Sequence, residues 1–190
     1  ADWLKTERIG AVIDATHPFA ARITPRTASV CAGLGLPHIA VKRPPWLPGP
    51  GECWTGAADE ASAARLVPPG ATVFLATGRQ RLDRFAGISA ARVWVRVVDP
   101  PEQPFPFPVG DFVVARPTFK VADEVALFDR LGIDWLVARN AGGASGRAKL
   151  DAARLLGINV AMIVRPELPE GLHLTDVAGA LAWARALAVG

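Results

Sequence analysis

The chain has 190 residues, a net charge of +3 and a pI near 9.3, and 51% of its residues are apolar. This apolar content is typical of a chain with a substantial core and excludes an intrinsically disordered protein. The basic residues are spread out, which argues against a nucleic-acid partner, and no apolar run reaches the ~18 residues of a membrane span.

The first part of the chain alternates short apolar runs with helical patterns. Strands are predicted over residues 9–15, 36–41 and 72–76, and helices over residues 20–34 and 57–66. A short helix through Leu82 and Phe85 follows the third strand. Residues 44–56 contain four prolines and three glycines, so we interpret them as a loop or linker without regular structure.

The second part continues the alternation. Strands are predicted over residues 91–98, 112–115, 133–138 and 159–164, and helices over residues 121–131, after residue 146 and over residues 175–187. Thr175 or Asp176 is the expected N-cap of the last helix. Residues 99–110 contain five prolines and form a connector. Short strands that alternate with helices predict an α/β fold with mainly parallel sheets.

Polar loops follow four of the predicted strands. They contain Thr16 and His17, then residues 77–79, then residues 116–118, and then residues 139–143. Because ligands bind at the carboxyl ends of parallel strands, we expect the four loops to meet at one sheet edge and to form a cleft there.

Residues 133–149 carry the strongest local signal. An apolar strand is followed by three glycines within five positions and then by a helix. Free N–H groups and the dipole of the helix favour an anion at such a junction. Arg139, Arg147 and Lys149 add positive charge. A plain structural turn is the alternative, because the segment contains neither G-x-G-x-x-G nor the P-loop pattern.

Few side chains of these loops can perform acid–base chemistry. His17 is a candidate general acid or base, and its alternative role is a structural one beside Asp14. Ser145 is out of place for G-x-S-x-G, so we interpret it as a hydrogen-bond donor or helix cap. Neither the three histidines nor Cys31 and Cys53 show a metal-ligand spacing, so we expect no metal and a reducing, cytoplasmic location. The reaction chemistry then belongs to a dissociable cofactor.

Several segments resemble, in the same order, the precorrin-6A reductases (cobalt-precorrin-6A reductases) of cobalamin (vitamin B12) biosynthesis. The resemblance rests on Asp14-Ala15-Thr16-His17-Pro18-Phe19-Ala20, on Thr77-Gly78-Arg79, and on Arg139-Asn140-Ala141-Gly142-Gly143 with Lys149. It implies two Rossmann-like lobes with a ligand cleft between them. It also implies that NADPH reduces a double bond of the precorrin-6A macrocycle, a polycarboxylate tetrapyrrole of the corrin pathway, to give precorrin-6B.

The resemblance also implies roles for individual residues. His17 is the expected proton donor or a substrate contact. The expected NADPH contacts are Thr16, His17, Thr77, Gly78, Arg79, Asn140, Gly142 and Gly143. The expected substrate contacts are Arg79, Arg116, Arg139, Ser145, Arg147 and Lys149, although solvated surface charge is the alternative for each basic residue.

The domain organisation expected from these patterns has three parts. Residues 1–70 form the cofactor-side lobe, residues 71–165 the second lobe, and residues 166–190 a C-terminal helix that packs on the first lobe. Members of the family open with a strand and a G-G-T-type phosphate loop that this sequence does not contain. We therefore expect a preceding segment of roughly 60 residues, and weak NADPH binding without it.

Two other functions are compatible with the sequence. One is a methyltransferase of the same pathway that uses S-adenosylmethionine, and the other is a non-catalytic α/β module that binds an acidic small molecule. Other corrin-pathway enzymes are possible partners through transfer of the substrate, and neither a membrane nor a nucleic acid is expected as a partner.

Overall fold

The computed structural model describes residues 1–189, and in it strands and helices alternate along most of the chain. The strands are β1 (Val12–Asp14), β2 (His38–Val41), β3 (Trp54–Ala57), β4 (Thr72–Leu75), β5 (Arg92–Val97), β6 (Gly110–Val114), β7 (Trp135–Arg139), β8 (Asn159–Ile163) and β9 (Leu172–Leu174). The α-helices are α1 (Asp2–Thr6), α2 (Ile23–Leu34), α3 (Glu60–Leu66), α4 (Val121–Leu131), α5 (Ala148–Leu156) and α6 (Val177–Val189). Short 3₁₀ turns cover Leu82–Phe85 and Ala144–Gly146.

The chain divides into two units. The small unit comprises residues 1–45 and the segment that begins at residue 166, and the large unit comprises residues 46–165. The predicted boundary near residue 70 therefore differs from the observed division. Residues 46–70 belong to the large unit because β3 pairs with β8.

The small unit contains a three-stranded parallel sheet with the order β1-β2-β9. Helix α2 contacts β1 and β2, and α6 contacts β2 and β9. The carboxylate of Asp176 accepts a hydrogen bond from the backbone N–H of Gly179 at 2.7 Å, as expected for an N-cap residue immediately before α6. The carboxyl end of β1 leads directly into Thr16 and His17.

The large unit contains a six-stranded parallel sheet with the order β3-β8-β7-β4-β5-β6. From β4 the chain adds β5 and β6 on one side, and it then adds β7 and β8 on the other side. The strand order therefore reverses between β4 and β7. In open parallel sheets, such a switch point leaves a crevice at the carboxyl ends of the two strands, where ligands bind.

Helices α4 and α5 pack against each other over one part of the large sheet. The fully buried rings of Phe74 and Phe128 lie 5.0 Å apart between their centroids and belong to the same apolar cluster as Leu136 and Leu150. At the sheet edge, Gly110 has a φ of 135°, and a Cβ there would lie 1.7 Å from the carbonyl oxygen of Val93. Only glycine allows β6 to approach β5 so closely.

The predicted α/β class with mainly parallel sheets is confirmed. Three short elements were not predicted, namely α1, β9 and β3. The interpretation of residues 44–56 as entirely irregular is wrong, because Trp54–Ala57 forms an edge strand on β8. Within residues 1–189, no helix is long and apolar enough to cross a membrane.

Candidate functional site

The glycine loop, which we define as residues 140–146, follows β7 at the switch point. Gly142 and Gly143 have φ values of 68° and 79°, in the left-handed region that favours glycine. Gly142 is buried, and within residues 1–189 the backbone N–H groups of Gly142 and Gly143 donate to no protein acceptor. Successive backbone N–H groups that lack an acceptor are the donors used by anion-binding turns.

Trp46 holds the glycine loop in place. The side-chain amide of Asn140 accepts from the backbone N–H of Trp46 at 2.8 Å and donates to its carbonyl oxygen at 2.9 Å. The indole Nε1–H of Trp46 donates to the carbonyl oxygen of Gly143 at 2.8 Å. A Cβ on Gly146 would lie 2.9 Å from the indole ring, so a larger residue does not fit there without a shift.

The sequence did not indicate this role of Trp46. The contact joins residues 94 positions apart, and no local spacing connects them. Both ends of the Asn140 amide bond to the backbone of Trp46, and the predicted contact of Asn140 with the cofactor stays a prediction.

The loop after β4 borders the switch point on its other side. Thr77 is 8% exposed, and its hydroxyl has no hydrogen-bond partner in the described part of the chain. Gly78 has a φ of 74°, and a Cβ there would meet nothing within 4 Å. Arg79 is exposed and forms no ion pair with any residue from 1 to 189. This loop therefore presents one unbalanced positive charge next to an unsatisfied hydroxyl.

The other predicted basic contacts are used within the large unit. Arg116 pairs with Asp99 at 2.5 Å and Arg139 with Glu60 at 2.8 Å. Arg147 pairs with Glu52 and, at 3.0 Å, with Asp151. Carboxylates of the protein therefore already balance the charges of these three arginines. Their roles as substrate contacts stay predictions.

Lys149 is directed towards the glycine loop. Its Nζ donates to the carbonyl oxygen of Gly146 at 2.7 Å and lies 5.1 Å from the centre of the Trp46 ring. Burial, together with the nearby charge of Arg96, lowers the pKa of Lys149 to about 8, although Glu124 acts in the opposite direction. Ser145 is exposed and does not cap α5, whose N-cap residue is Arg147, so its interpretation as a helix cap is wrong.

In the small unit, a buried polar network surrounds the carboxyl end of β1. The Nζ of Lys42 lies 3.4 Å from Asp14 Oδ1 and donates to the carbonyl oxygen of Thr16 at 2.9 Å. It also lies within hydrogen-bond distance of the hydroxyls of Thr16 and Thr24. Asp14 Oδ1 accepts from both the backbone N–H and the hydroxyl of Thr16. The network therefore holds the backbone immediately before His17.

Burial on its own would raise the pKa of Asp14. The hydrogen bonds from Thr16 and Thr24 and the charge of Lys42 outweigh that effect and lower the pKa to about 2. Asp14 is therefore ionised at neutral pH, and its negative charge compensates the buried ammonium group of Lys42. Next to this network, His17 is exposed, and its Nδ1 accepts from the backbone N–H of Phe19 at 3.2 Å.

One expectation about these loops is wrong. Residues 16 and 17 follow a strand of the three-stranded sheet, whereas residues 77–79, 116–118 and 139–143 follow strands of the six-stranded sheet. The four loops therefore do not share one sheet edge, because β1 pairs with β2 and not with a strand of the large unit. Among residues 1–189, no group of three or more His, Cys, Asp or Glu side chains is placed to hold a metal ion.

A family model described as precorrin-6x reductase CbiJ/CobK matches residues 1–185. The chain belongs to this family. It is 48% identical over 185 residues to the precorrin-6A reductase of Rhodococcus erythropolis, a match that covers 96% of this chain and 74% of that protein. It is 40% identical over 183 residues to the precorrin-6A reductase of Rhodobacter capsulatus, covering 96% and 73% of the two chains.

A solved structure, CobK precorrin-6A reductase, superimposes with a TM-score of 0.93 at 40% sequence identity, covering 98% of this chain and 77% of that one. The predicted resemblance to the reductase family is thereby confirmed. As a member of this family, the chain is an oxidoreductase of cobalamin biosynthesis that acts on a CH–CH group.

The indole hydrogen bond to the glycine loop can be tested with Trp46→Phe. This substitution keeps an aromatic ring but leaves the carbonyl oxygen of Gly143 without its donor. We expect the free energy of unfolding, measured by urea denaturation of the reductase, to fall by about 1 kcal/mol. Trp94→Phe is the matched control because the Nε1 of Trp94 has no partner within residues 1–189. Equal losses in the two variants would contradict the role of Trp46.

The charge of Asp14 makes the stability of the reductase dependent on pH. Because the pKa of Asp14 is about 2 in the folded state and 3.8 when unperturbed, its stabilisation is present above about pH 4 and is lost as the pH falls towards 2. Between pH 5 and 2, we expect the wild type to lose about 2 kcal/mol more unfolding free energy than Asp14→Asn does. Parallel pH profiles of the two proteins would contradict the lowered pKa.

Proposed function

We propose that this protein uses NADPH to reduce a double bond of the precorrin-6A macrocycle, giving precorrin-6B. The observation that carries the proposal is the switch point of the six-stranded sheet, where the glycine loop and the loop after β4 present unsatisfied hydrogen-bond donors. Family membership supports a nicotinamide cofactor and a tetrapyrrole substrate.

The residues at the switch point fit a dinucleotide. Gly142 and Gly143 offer N–H groups that have no acceptor within residues 1–189, at positions without a Cβ, so a phosphate oxygen can approach the backbone closely. The hydroxyl of Thr77, which has no hydrogen-bond partner among the described residues, and the open space at Gly78 extend the same surface. When bound, NADPH supplies a hydride to one carbon of the double bond, and a proton completes the CH–CH group. The contacts of Thr16, His17, Arg79 and Asn140 with NADPH belong to the same proposal.

His17 is the proposed proton donor. Because its Nδ1 accepts a hydrogen bond from the N–H of Phe19, the neutral imidazole carries its proton on Nε2. The Nε2–H group is then the one that faces a reacting atom or a carboxylate of the substrate. Lys42 and Asp14 hold Thr16 in place and thereby orient the His17 backbone.

The substrate of this proposal is a polycarboxylate, and the charge of the chain suits it. With a net charge of +3, the protein attracts an anionic ligand. Arg79 offers an unpaired guanidinium among residues 1–189. Four other basic side chains already have partners within the protein, and each would have to bind a substrate carboxylate in addition to that partner: Arg116, Arg139, Arg147 and Lys149. Ser145 adds an exposed hydroxyl.

The proposal is tested by mixing the full natural chain with precorrin-6A and NADPH and following the near-ultraviolet absorbance of NADPH. We expect substrate-dependent loss of NADPH, with one NADPH consumed for each precorrin-6B formed and much slower loss of NADH. His17→Gln removes the proton on Nε2 and is expected to lower kcat by ~10²-fold.

His173→Gln is the matched control, because His173 is also an exposed histidine of the small unit and, within residues 1–189, its ring bonds to the carbonyl oxygen of Pro169 alone. We expect its kcat to stay close to that of the wild type. Binding of precorrin-6A without any oxidation of NADPH would instead support a non-catalytic binding module.

A further inference from the structure

We propose that Arg165 is a positioning residue of the glycine loop. Its guanidinium holds the carbonyl oxygen of Asn140 and thereby fixes the peptide with which the loop begins. The backbone N–H groups farther along the loop are then kept in the orientation in which a phosphate can accept from them. The identity of that phosphate as part of NADPH rests on the proposed function, whereas the orientation of the loop can be measured without any ligand.

The chain turns sharply where β7 becomes the glycine loop. The backbone N–H of Asn140 donates to the carbonyl oxygen of Ile163 in β8 at 2.9 Å. The N–H of Ala141 then donates back to the carbonyl oxygen of Arg139 at 2.7 Å, which closes a three-residue turn centred on Asn140. At this turn, the Nε–H of Arg165 donates to the carbonyl oxygen of Asn140 at 2.7 Å. Arg165 is therefore bonded to the residue at which the strand ends and the loop begins.

Side chains from outside the glycine loop hold its carbonyl oxygens at three positions, each three residues apart. The bonds are Arg165 Nε to Asn140 at 2.7 Å, Trp46 Nε1 to Gly143 at 2.8 Å and Lys149 Nζ to Gly146 at 2.7 Å. A trans peptide directs its C=O and its N–H to opposite sides. A carbonyl that is held by a side chain therefore also fixes the direction of the N–H of the next residue.

The N–H groups left without an acceptor are consecutive. The backbone N–H groups of Gly142, Gly143 and Ala144 donate to no acceptor within residues 1–189. Glycine adopts both signs of φ readily, so the peptides around residues 142 and 143 can rotate unless the loop is fixed on both sides of them. Arg165 fixes the loop before the two glycines, and Trp46 fixes it after them.

Asn140 joins the two ends of the large unit. Trp46 is the first residue of that unit and Arg165 is the last. The side-chain amide of Asn140 bonds to the backbone of Trp46, and its carbonyl oxygen accepts from Arg165. Removing the Arg165 bond leaves the Trp46 bonds in place, so we expect variants of Arg165 to fold.

Two variants separate the hydrogen bond of Arg165 from its charge. Arg165→Met keeps a long side chain and removes both. Arg165→Gln removes the charge and keeps an N–H donor, because the amide nitrogen of glutamine and the Nε of arginine both follow three side-chain carbons. A positioning role depends on the donor, whereas a direct contact with a phosphate depends on the charge.

The first measurement needs no ligand. The backbone amide shifts of residues 142–144 are recorded for the ¹⁵N-labelled full natural chain and its variants. We expect these shifts to change in Arg165→Met, because the peptide after Asn140 is no longer held. In Arg165→Gln, we expect them to return close to the wild-type values.

The second measurement compares cofactor binding with turnover. In Arg165→Met, we expect the Kd and the KM for NADPH to rise about 5- to 10-fold, and in Arg165→Gln to stay within about 2-fold of the wild type. The kcat at saturating NADPH stays close to the wild type in both variants, because the loop binds the cofactor equally in the ground state and in the transition state.

Arg92→Met is the matched control, because Arg92 is an exposed arginine at the amino-terminal end of β5. We expect wild-type amide shifts and wild-type NADPH binding in this variant. Weaker NADPH binding in Arg165→Gln would overturn the positioning role, whether or not Arg165→Met folds, and so would unchanged binding in Arg165→Met. If the wild type binds no NADPH but the shifts of residues 142–144 change in Arg165→Met alone, the proposed function fails and the positioning of the loop stands.

Discussion

The reversal of strand order between β4 and β7 is the constraint on which the large unit depends. Strands β4 and β7 are neighbours in the sheet, but the connection after β4 leads to β5 on one side and the connection after β7 leads to β8 on the other side. Their carboxyl ends are therefore not covered by a shared connection. The glycine loop and the loop after β4 both begin there, and both present N–H groups that no acceptor within residues 1–189 satisfies.

The surrounding charges make that position selective. Basic residues are numerous near the sheet edge, yet Arg96, Arg116, Arg139 and Arg147 are balanced by carboxylates of the protein. The pairs of Arg96, Arg139 and Arg147 each include a buried carboxylate, so removing the arginine would leave a buried charge uncompensated, whereas the pair of Arg116 with Asp99 is exposed. Arg79 differs from them in having no such partner in the described part of the chain. The paired arginines thus position the loops of the site, and the guanidinium of Arg79 is available to a ligand.

Much of the fold followed from local patterns, and the site followed only in part. The alternation of apolar runs with helical periods predicted β4, β7 and α4 because each depends on a few consecutive residues. Contacts between distant segments left no local signal, which is why the role of Trp46 was not predicted and why the loop after β1 was expected at the same sheet edge as the other three loops. The strand β3 was missed because a proline-rich loop precedes it, and its pairing with β8 is visible only in three dimensions.

The account is tested most directly by the backbone amide shifts of the full natural chain during titration with NADPH. If the dinucleotide binds at the switch point, the amides of Gly142 and Gly143 shift with the same saturation curve as NADPH fluorescence. The amide of Gly132, another left-handed glycine that ends α4 away from the switch point, stays unchanged. Saturable binding of NADPH with no shift at Gly142 or Gly143 would contradict the assignment of the crevice between β4 and β7.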